Sequence, residues 1–236
     1  NQTLYQVAQS AILAAVEVTP CQARRLRGAA QLLPDGTYNP AWLAARRWRL
    51  TSSKFEAVRR VGRHRQLADS LLNGWWYRGE GYNHKAKRAR QFESQALVRY
   101  AERLARQAGK EQCSVASIGT LVDPDVPWLA ASPDGIVLAA DGSPSQLIEV
   151  KSHSVAMCSR APVWAQVQGS MAIASGCFGR PVHRCKVVTP DETFAVNFDK
   201  PWWQRRLQRL HGFYFQTFLP LAAQQVVDRF FSLDST

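Results

Sequence analysis

The stretch "AASPDGIVLAADGSPSQLIEVKS" (residues 130–152) contains two apolar runs joined by turn-forming residues around the Asp-Gly pair at 141–142. This pattern predicts a β-hairpin. Folding the chain back at the turn brings Asp134 nearly opposite Glu149, with the register open by one or two residues. Because side chains alternate along a strand, Lys151 lies on the same face as Glu149. Two carboxylates and an ammonium group therefore converge on one point.

This convergence of charges calls for a partner. Neighbouring carboxylates repel each other unless a cation lies between them, and Mg²⁺ typically uses one or two carboxylates together with substrate phosphate. The alternative is an edge-strand salt bridge between Glu149 and Lys151, with Asp134 starting a turn after Pro133. The hairpin alone leaves both interpretations open.

A third acid, Glu93, lies on a predicted helix upstream. It shares helical spacing with three apolar residues, which puts it on the stripe that faces the core. These residues are Leu97, Tyr100 and Leu104. A glutamate there, pointing at the hairpin, would complete a metal site. The alternative is a partly exposed glutamate paired with Arg90.

The rest of the chain divides into helical and strand patterns. Helices are expected at 3–17, 20–33, 41–50, from 51 onward, at about 84–108, at about 161–175 and from Lys200, the last bent or ended near Pro220. Strands are expected at 113–122, 126–139, 146–152, near 182–189 and near 193–198, with a loop at 73–85. Helices, then sheet, then helix predict an α/β fold with a mixed central β-sheet flanked by helices.

The composition indicates a folded domain with a polyanionic partner. Of 236 residues, 46% are hydrophobic, which is ample for a core. Lys and Arg outnumber Asp and Glu by 30 to 18, giving a net charge of +12, and phosphate contacts suit such an excess. An acidic membrane surface is the alternative, but no compact block of Lys and Arg lies next to an anchoring apolar helix. No apolar run is long enough to span a bilayer. The adjacent Trp202 and Trp203 are interpreted as core anchors.

The cysteines and the first residues bear on the compartment. The five cysteines are odd in number and widely spaced, without CxxC or Cys/His spacing, so neither a zinc site nor a disulfide framework is indicated. The apolar "AILAAV" at 11–16 is short and has no basic leader, which argues against a signal peptide. We therefore expect an intracellular protein, cytoplasmic or nuclear, in a reducing compartment.

The hairpin motif resembles the signature of PD-(D/E)xK nucleases. It reads "SPDG", then "EVK", with fourteen residues between Asp134 and Glu149. "TSS" at 51–53, "FE" followed by "YAE", and "WAQVQGSMAIAS" at 164–175 resemble the lambda-exonuclease-like (YqaJ-type viral recombinase) alkaline exonucleases. One departure is Arg90, where many relatives have a small residue.

The resemblance covers about 42–200 and implies the fold and its parts. It implies a single nuclease domain over 1–236 with a restriction-endonuclease-like core at 42–200. The N-terminal helical extension would be 1–41 and the C-terminal helix 201–236.

The resemblance also implies metal ligands. Asp134 and Glu149 would bind two Mg²⁺ ions, for which Mn²⁺ would substitute, with the backbone carbonyl of Val150 as a further ligand. Glu93 would serve the second ion or its water shell.

Two further residues receive roles by resemblance. Lys151 would position and help to deprotonate the attacking water, or stabilise charge on the phosphate. Gln166 would support the lysine and the nucleophile, although an ordinary surface amide, like Gln168, is the alternative.

A pocket for a terminal 5′-phosphate is implied as well. Arg46, Ser53 and Ser132 keep the spacing that the family uses for it, and arginine and hydroxyl donors suit a phosphate dianion. The alternative for Arg46 is plain solvation beside Arg47 and Arg49.

The predicted function is a Mg²⁺-dependent exodeoxyribonuclease. It would digest one strand of double-stranded DNA from its ends, 5′→3′, and leave 3′ single strands for recombination. Double-stranded DNA ends are the expected partner, and the resemblance adds a homotrimer and a single-strand annealing protein. The alternatives are an endonuclease or RNase of the same fold, a non-catalytic nucleic-acid-binding module, or a peripheral protein of acidic membranes.

Overall fold

A five-stranded mixed sheet forms the centre of the chain. The structure, a computed structural model, describes residues 2–35, 37–74, 84–107, 113–153 and 160–233. Helices pack on both faces of the sheet, which confirms the predicted α/β fold. Most of the predicted loop at 73–85 lies outside the described residues.

The strands confirm the hairpin and correct its surroundings. They are β1 (Leu50–Thr51), β2 (Ser114–Ala116), β3 (Leu129–Ala130), β4 (Gly135–Leu138), β5 (Pro144–Val150), β6 (Arg184–Val188) and β7 (Thr193–Asn197). The sheet order is β2-β4-β5-β6-β7, with β5 and β6 parallel and the other neighbours antiparallel, while β1 and β3 form a separate parallel pair. The strand expected at 126–139 is two strands, because Pro133 interrupts it and proline cannot donate to a ladder.

Eight α-helices surround the two sheets in the described ranges. They are α1 (Gln2–Val16), α2 (Pro20–Gly28), α3 (Pro40–Arg47), α4 (His64–Gly74), α5 (His84–Gln107), α6 (Arg160–Phe178), α7 (Lys200–Phe213) and α8 (Leu219–Leu233). The irregularity expected near Pro220 is a π-helical segment just before it, Tyr214–Phe218. Pro220 has no N–H to donate to Gln216, which weakens the regular α-helical ladder there. No helix in the described ranges has the length and apolarity to cross a bilayer.

The helix expected from residue 51 is wrong. After β1 the chain makes short 3₁₀ turns at 52–54, 57–59 and 61–63, and α4 begins only at His64. Tertiary packing decides this conformation: the Ser170 hydroxyl donates to Ser52 at 3.1 Å, and Phe55 is fully buried against α6. A Cβ at Gly169 would lie 2.2 Å from the Phe55 ring, so the glycine permits this approach.

Two apolar layers hold the sheet between helices. On one face, Ala96 and Tyr100 of α5 pack near Val137 and Ile148. On the other face, α6 connects β5 to the parallel strand β6 and joins the larger core with the terminal helices. The start of β4 and the end of β5 therefore lie between α5 and α6, and the site residues are there.

Candidate active site

The hairpin brings Asp134 and Glu149 side by side. Gly135 pairs with Ile148 in the β4–β5 ladder, so the next position along the two chains holds Asp134 and Glu149. The backbone amide of Val150 donates a 2.6 Å hydrogen bond to Asp134 Oδ2. The structure thus sets the register that the sequence pattern had left open by one or two residues, and it places the two carboxylates opposite each other.

A closed polar network surrounds one oxygen of Glu149. Lys151 Nζ donates to Glu149 Oε1 at 2.7 Å and to Gln166 Oε1 at 3.0 Å. Gln166 Nε2 donates to the same Glu149 oxygen at 2.6 Å. The salt bridge considered as an alternative is thus present, but inside a network that includes an amide from α6.

The second oxygen of Glu149 is in a different state. Glu149 is 3% exposed, and its Oε2 is buried with no hydrogen-bond partner among the described residues. A buried acceptor without a partner is costly, and a carboxylate especially so. A bound cation would remove this cost, so the observation fits a metal ligand.

Glu93 approaches from the helix on the other face of the sheet. It is half-buried on α5, and with Asp134 it lines a cleft of about 520 Å³. The walls of the cleft include Arg90, Tyr38 and Trp42. Glu93 and Asp134 therefore open onto one cavity, whereas Glu149 is buried behind it and is not among the lining residues.

The charges in the site shift each other's pKa values. Burial, and then the charges of Glu149 and Glu93, raise the pKa of Asp134 well above its ordinary value. Burial and the charge of Glu149 likewise raise the pKa of Glu93. Burial lowers the pKa of Lys151, but the charge and hydrogen bond of Glu149, helped by Asp134 and Glu93, outweigh burial and raise it overall. The site favours fewer negative charges, or an added cation.

The donor set fits a hard divalent ion that brings its own water. Within the described ranges, no group of three or more His, Cys, Asp and Glu side chains could hold a metal ion unaided. Asp134 and Glu149 would supply two carboxylates, and backbone, water and phosphate oxygens the remainder, which is the pattern typical of Mg²⁺. The Val150 carbonyl and the number of ions stay predictions.

Two of the residues predicted for the 5′-phosphate are in direct contact. Arg46 Nη1 donates to Ser132 Oγ at 2.8 Å, and the buried Thr120 hydroxyl lies 3.5 Å from the same oxygen. Ser53 is exposed, 3.4 Å from the Thr51 hydroxyl. Thr51 of β1 pairs with Ala130 of β3 in a parallel ladder. Ser53 and Ser132 each come two residues after this pair, so both lie beyond the same end of the small sheet.

A column of four planar groups supports Arg46. Its guanidinium lies 4.3 Å from the Trp42 ring, Trp42 stacks on Tyr38 at 5.1 Å, and Arg90 covers Tyr38 at 4.6 Å. This column was not predicted from the sequence, although Trp42 precedes Arg46 by one helical turn. No spacing or motif in the sequence indicated that Tyr38 stacks on Trp42. Arg90, the departure from the family pattern, packs on this aromatic pair.

The comparison of the two α6 glutamines corrects one expectation. Gln168, which the sequence predicts to be a surface amide, is fully buried. It donates to the Asn197 carbonyl at 2.8 Å and accepts from the Asp199 amide at 2.8 Å. It therefore ties α6 to the start of α7, whereas Gln166 faces the carboxylates.

The fold and the hairpin motif define a class, the PD-(D/E)xK type. The family model of the YqaJ-like viral recombinase domain matches residues 41–177. That match spans more than half of the chain, and the chain belongs to this family. No curated protein sequence matches the chain.

Solved structures share the fold. The crystal structure of an alkaline exonuclease, LHK-Exo from Laribacter hongkongensis, is 21% identical and has a TM-score of 0.54. The structure of LHK-Exo in complex with dAMP is 21% identical, with a TM-score of 0.58. In both cases the alignment covers 83% of this chain and 100% of the other.

Proposed function

We propose that this protein is a Mg²⁺-dependent exodeoxyribonuclease that digests one strand of duplex DNA from its 5′ ends. The observation that carries the proposal is Glu149, held at Oε1 by Lys151 and Gln166 while the buried Oε2 has no donor among the described residues. Membership of the YqaJ-like family supports a nuclease, as does the fold shared with a protein described as an alkaline exonuclease. The net charge of +12 suits a phosphodiester substrate.

The residues of the site would divide the work as follows. Asp134 and Glu149 would hold Mg²⁺, which when bound activates water and neutralises charge on the phosphate. Lys151, whose pKa is raised, stays protonated and stabilises negative charge on the scissile phosphate. Glu93, whose pKa is also raised, accepts a proton from the attacking water. Gln166 holds the Glu149 carboxylate and the Lys151 ammonium group in position through its side-chain amide.

The 5′→3′ direction rests on the second group of residues. Arg46 and the hydroxyls of Ser132 and Ser53 would bind a terminal 5′-phosphate by charge-assisted hydrogen bonds. A homotrimer around DNA, an annealing protein as partner and the recombination role come from the resemblance and stay predictions.

The test uses linear duplexes labelled at the 5′ or the 3′ end, with Mg²⁺ or EDTA. We expect release of the 5′ label in Mg²⁺, no release in EDTA, and no digestion of a closed circle. Cleavage of the circle, or of structured RNA, would favour the endonuclease or RNase alternative. Binding without any metal-dependent cleavage would favour a non-catalytic module.

A further inference from the structure

A cluster of arginines lies on the C-terminal helices, away from the cleft that contains Asp134. Arg205, Arg206 and Arg209 of α7 line a pocket of about 100 Å³ together with Trp202. Arg209 also lines a second pocket of about 330 Å³, opposite Arg59. We use the name α7 arginine cluster for Arg205, Arg206 and Arg209 of α7 together with Arg59 of the 3₁₀ turn at 57–59. The two pockets share no lining residue with the cleft around Asp134 and Glu93.

The second pocket is polar as well as basic. His64 and the side chains of Gln216 and Thr217 line it beside Arg59 and Arg209. Gln216 and Thr217 belong to the π-helical segment after α7. Such segments recur at functional sites because they change which side chains a helix presents.

The cluster has an excess of positive charge. Glu56 accepts from Arg206 Nη2 at 3.0 Å and from Arg59 Nε at 2.5 Å. No acidic side chain in the described ranges lines either pocket. Burial, and also the charges of Arg209 and Arg59, lower the pKa of Arg206 despite its pairing with Glu56. A polyanion would relieve this repulsion.

An aromatic surface borders the cluster. Trp203 is 8% exposed and is a core anchor as predicted, but Trp202 is only half-buried and lies under the Arg206 guanidinium at 4.9 Å. Trp164 of α6 meets Trp202 edge-on at 6.4 Å between ring centroids and is 37% exposed. Exposed aromatic rings beside arginines are typical of surfaces that bind single-stranded nucleic acid, since unpaired bases stack on them.

We infer that the α7 arginine cluster, with Trp164 and Trp202, is a second nucleic-acid site that binds the backbone and bases of a single strand. Arg205 and Arg209, both exposed, contact phosphates, and Trp164 accepts a base. A duplex keeps its bases stacked inside and would use only the arginines. This assignment of the strand rests on the proposed function: the ligand is the DNA strand that the nuclease leaves undigested.

The test measures binding separately from cleavage. A fluorescent oligothymidylate of about 20 nucleotides is titrated with full-length protein in EDTA at several salt concentrations. Each phosphate contact adds about 0.7 to the slope of log K against log salt for single strands, so R205Q/R209Q should reduce the slope by about 1.4. The matched control is R24Q/R25Q, which removes the same charge from exposed positions on α2 and should leave the slope near the wild-type value.

Further arms decide the kind of ligand. Trp164→Leu should abolish most of the tryptophan quenching that the oligothymidylate causes and weaken its binding. Equal slopes for R205Q/R209Q and R24Q/R25Q would overturn the site. A larger loss for a blunt duplex than for the single strand in R205Q/R209Q would overturn the single-strand assignment. Wild-type protein that binds through this cluster but never cleaves would contradict the proposed nuclease and leave the site standing.

Discussion

The backbone amide of Val150 donates to Asp134 Oδ2 at 2.6 Å, so one oxygen of the carboxylate is fixed by the strand that carries Glu149. A cation would therefore approach Asp134 through its other oxygen. It would approach Glu149 through the buried Oε2, which has no donor among the described residues. The hairpin itself therefore sets the orientation of the Asp134 carboxylate.

Replacing Lys151 by alanine should abolish most of the nuclease activity. The ammonium group that stabilises phosphate charge and holds Glu149 Oε1 is lost, and we expect a decrease in kcat of about 10²- to 10³-fold. The measurement is single-turnover release of a 5′ label in saturating Mg²⁺. Lys186→Ala, on the neighbouring strand β6, is the matched control and should stay near wild-type. Equal activity of the two variants would contradict the role of Lys151.

Replacing Glu93 by glutamine should stabilise the metal-free protein at alkaline pH while it impairs catalysis. The pKa of Glu93 is raised in the folded state above its ordinary value of 4.5, so folding favours the protonated form. Its contribution to stability is therefore full below the ordinary value and is lost as pH rises through the raised value. Glu93→Gln removes that loss, so we expect a higher Tm than that of the wild-type protein at alkaline pH and no gain at acidic pH.

The control for that variant is on the same helix. Glu102→Gln changes an exposed glutamate of α5 and should shift Tm little at any pH. Thermal unfolding in EDTA across the pH range compares them. A Glu93→Gln protein that is less stable than wild-type at alkaline pH would contradict this prediction, because it would show that the ionised carboxylate of Glu93 is stabilised by its surroundings.

Metal binding should release protons and strengthen with pH. Because the pKa values of Asp134 and Glu93 are raised, an incoming Mg²⁺ or Mn²⁺ displaces protons until pH exceeds those values. Calorimetric titration in buffers of different ionisation enthalpy counts the protons. Asp134→Asn should abolish binding, whereas Asp141→Asn in the exposed hairpin turn should not. An affinity that is independent of pH would contradict the proposed linkage.

Removing the Trp42 ring should weaken preference for 5′-phosphorylated ends. The ring holds the Arg46 guanidinium at 4.3 Å, and such contacts contribute about 0.5–2 kcal/mol, which corresponds to a loss of about 2- to 30-fold in discrimination. The readout is the ratio of digestion rates for 5′-phosphate and 5′-hydroxyl duplexes with Trp42→Ala. Trp42→Phe keeps an aromatic face and should retain most of the ratio. An unchanged ratio in Trp42→Ala would show that the contact between Trp42 and Arg46 does not contribute to recognition of the 5′ end.

Local patterns in the sequence were enough to predict the hairpin and the long helix with Glu93, whereas the approach of Gln166 was implied only by the family resemblance. Each depends on short-range rules: turn residues between apolar runs, and helical spacing of a glutamate with apolar neighbours. The pairing of Asp134 with Glu149 could be predicted only to within one or two residues, because the turn type and loop length set the exact register of a hairpin.

The errors lie where distant parts of the chain decide the conformation. Phe55 and Ser52 are drawn onto α6, so the expected helix after residue 51 becomes 3₁₀ turns. The stacking of Tyr38 on Trp42 joins the segment before α3 to the cleft, and no periodicity in the sequence encodes it.

The most direct measurement is the anomalous scattering of Mn²⁺ in crystals of the wild-type protein. The account predicts a peak within about 2.5 Å of both Glu149 Oε2 and an oxygen of Asp134, with Lys151 still bonded to Glu149 Oε1. Saturating Mn²⁺ that leaves this position empty, or binds only elsewhere, would contradict the account.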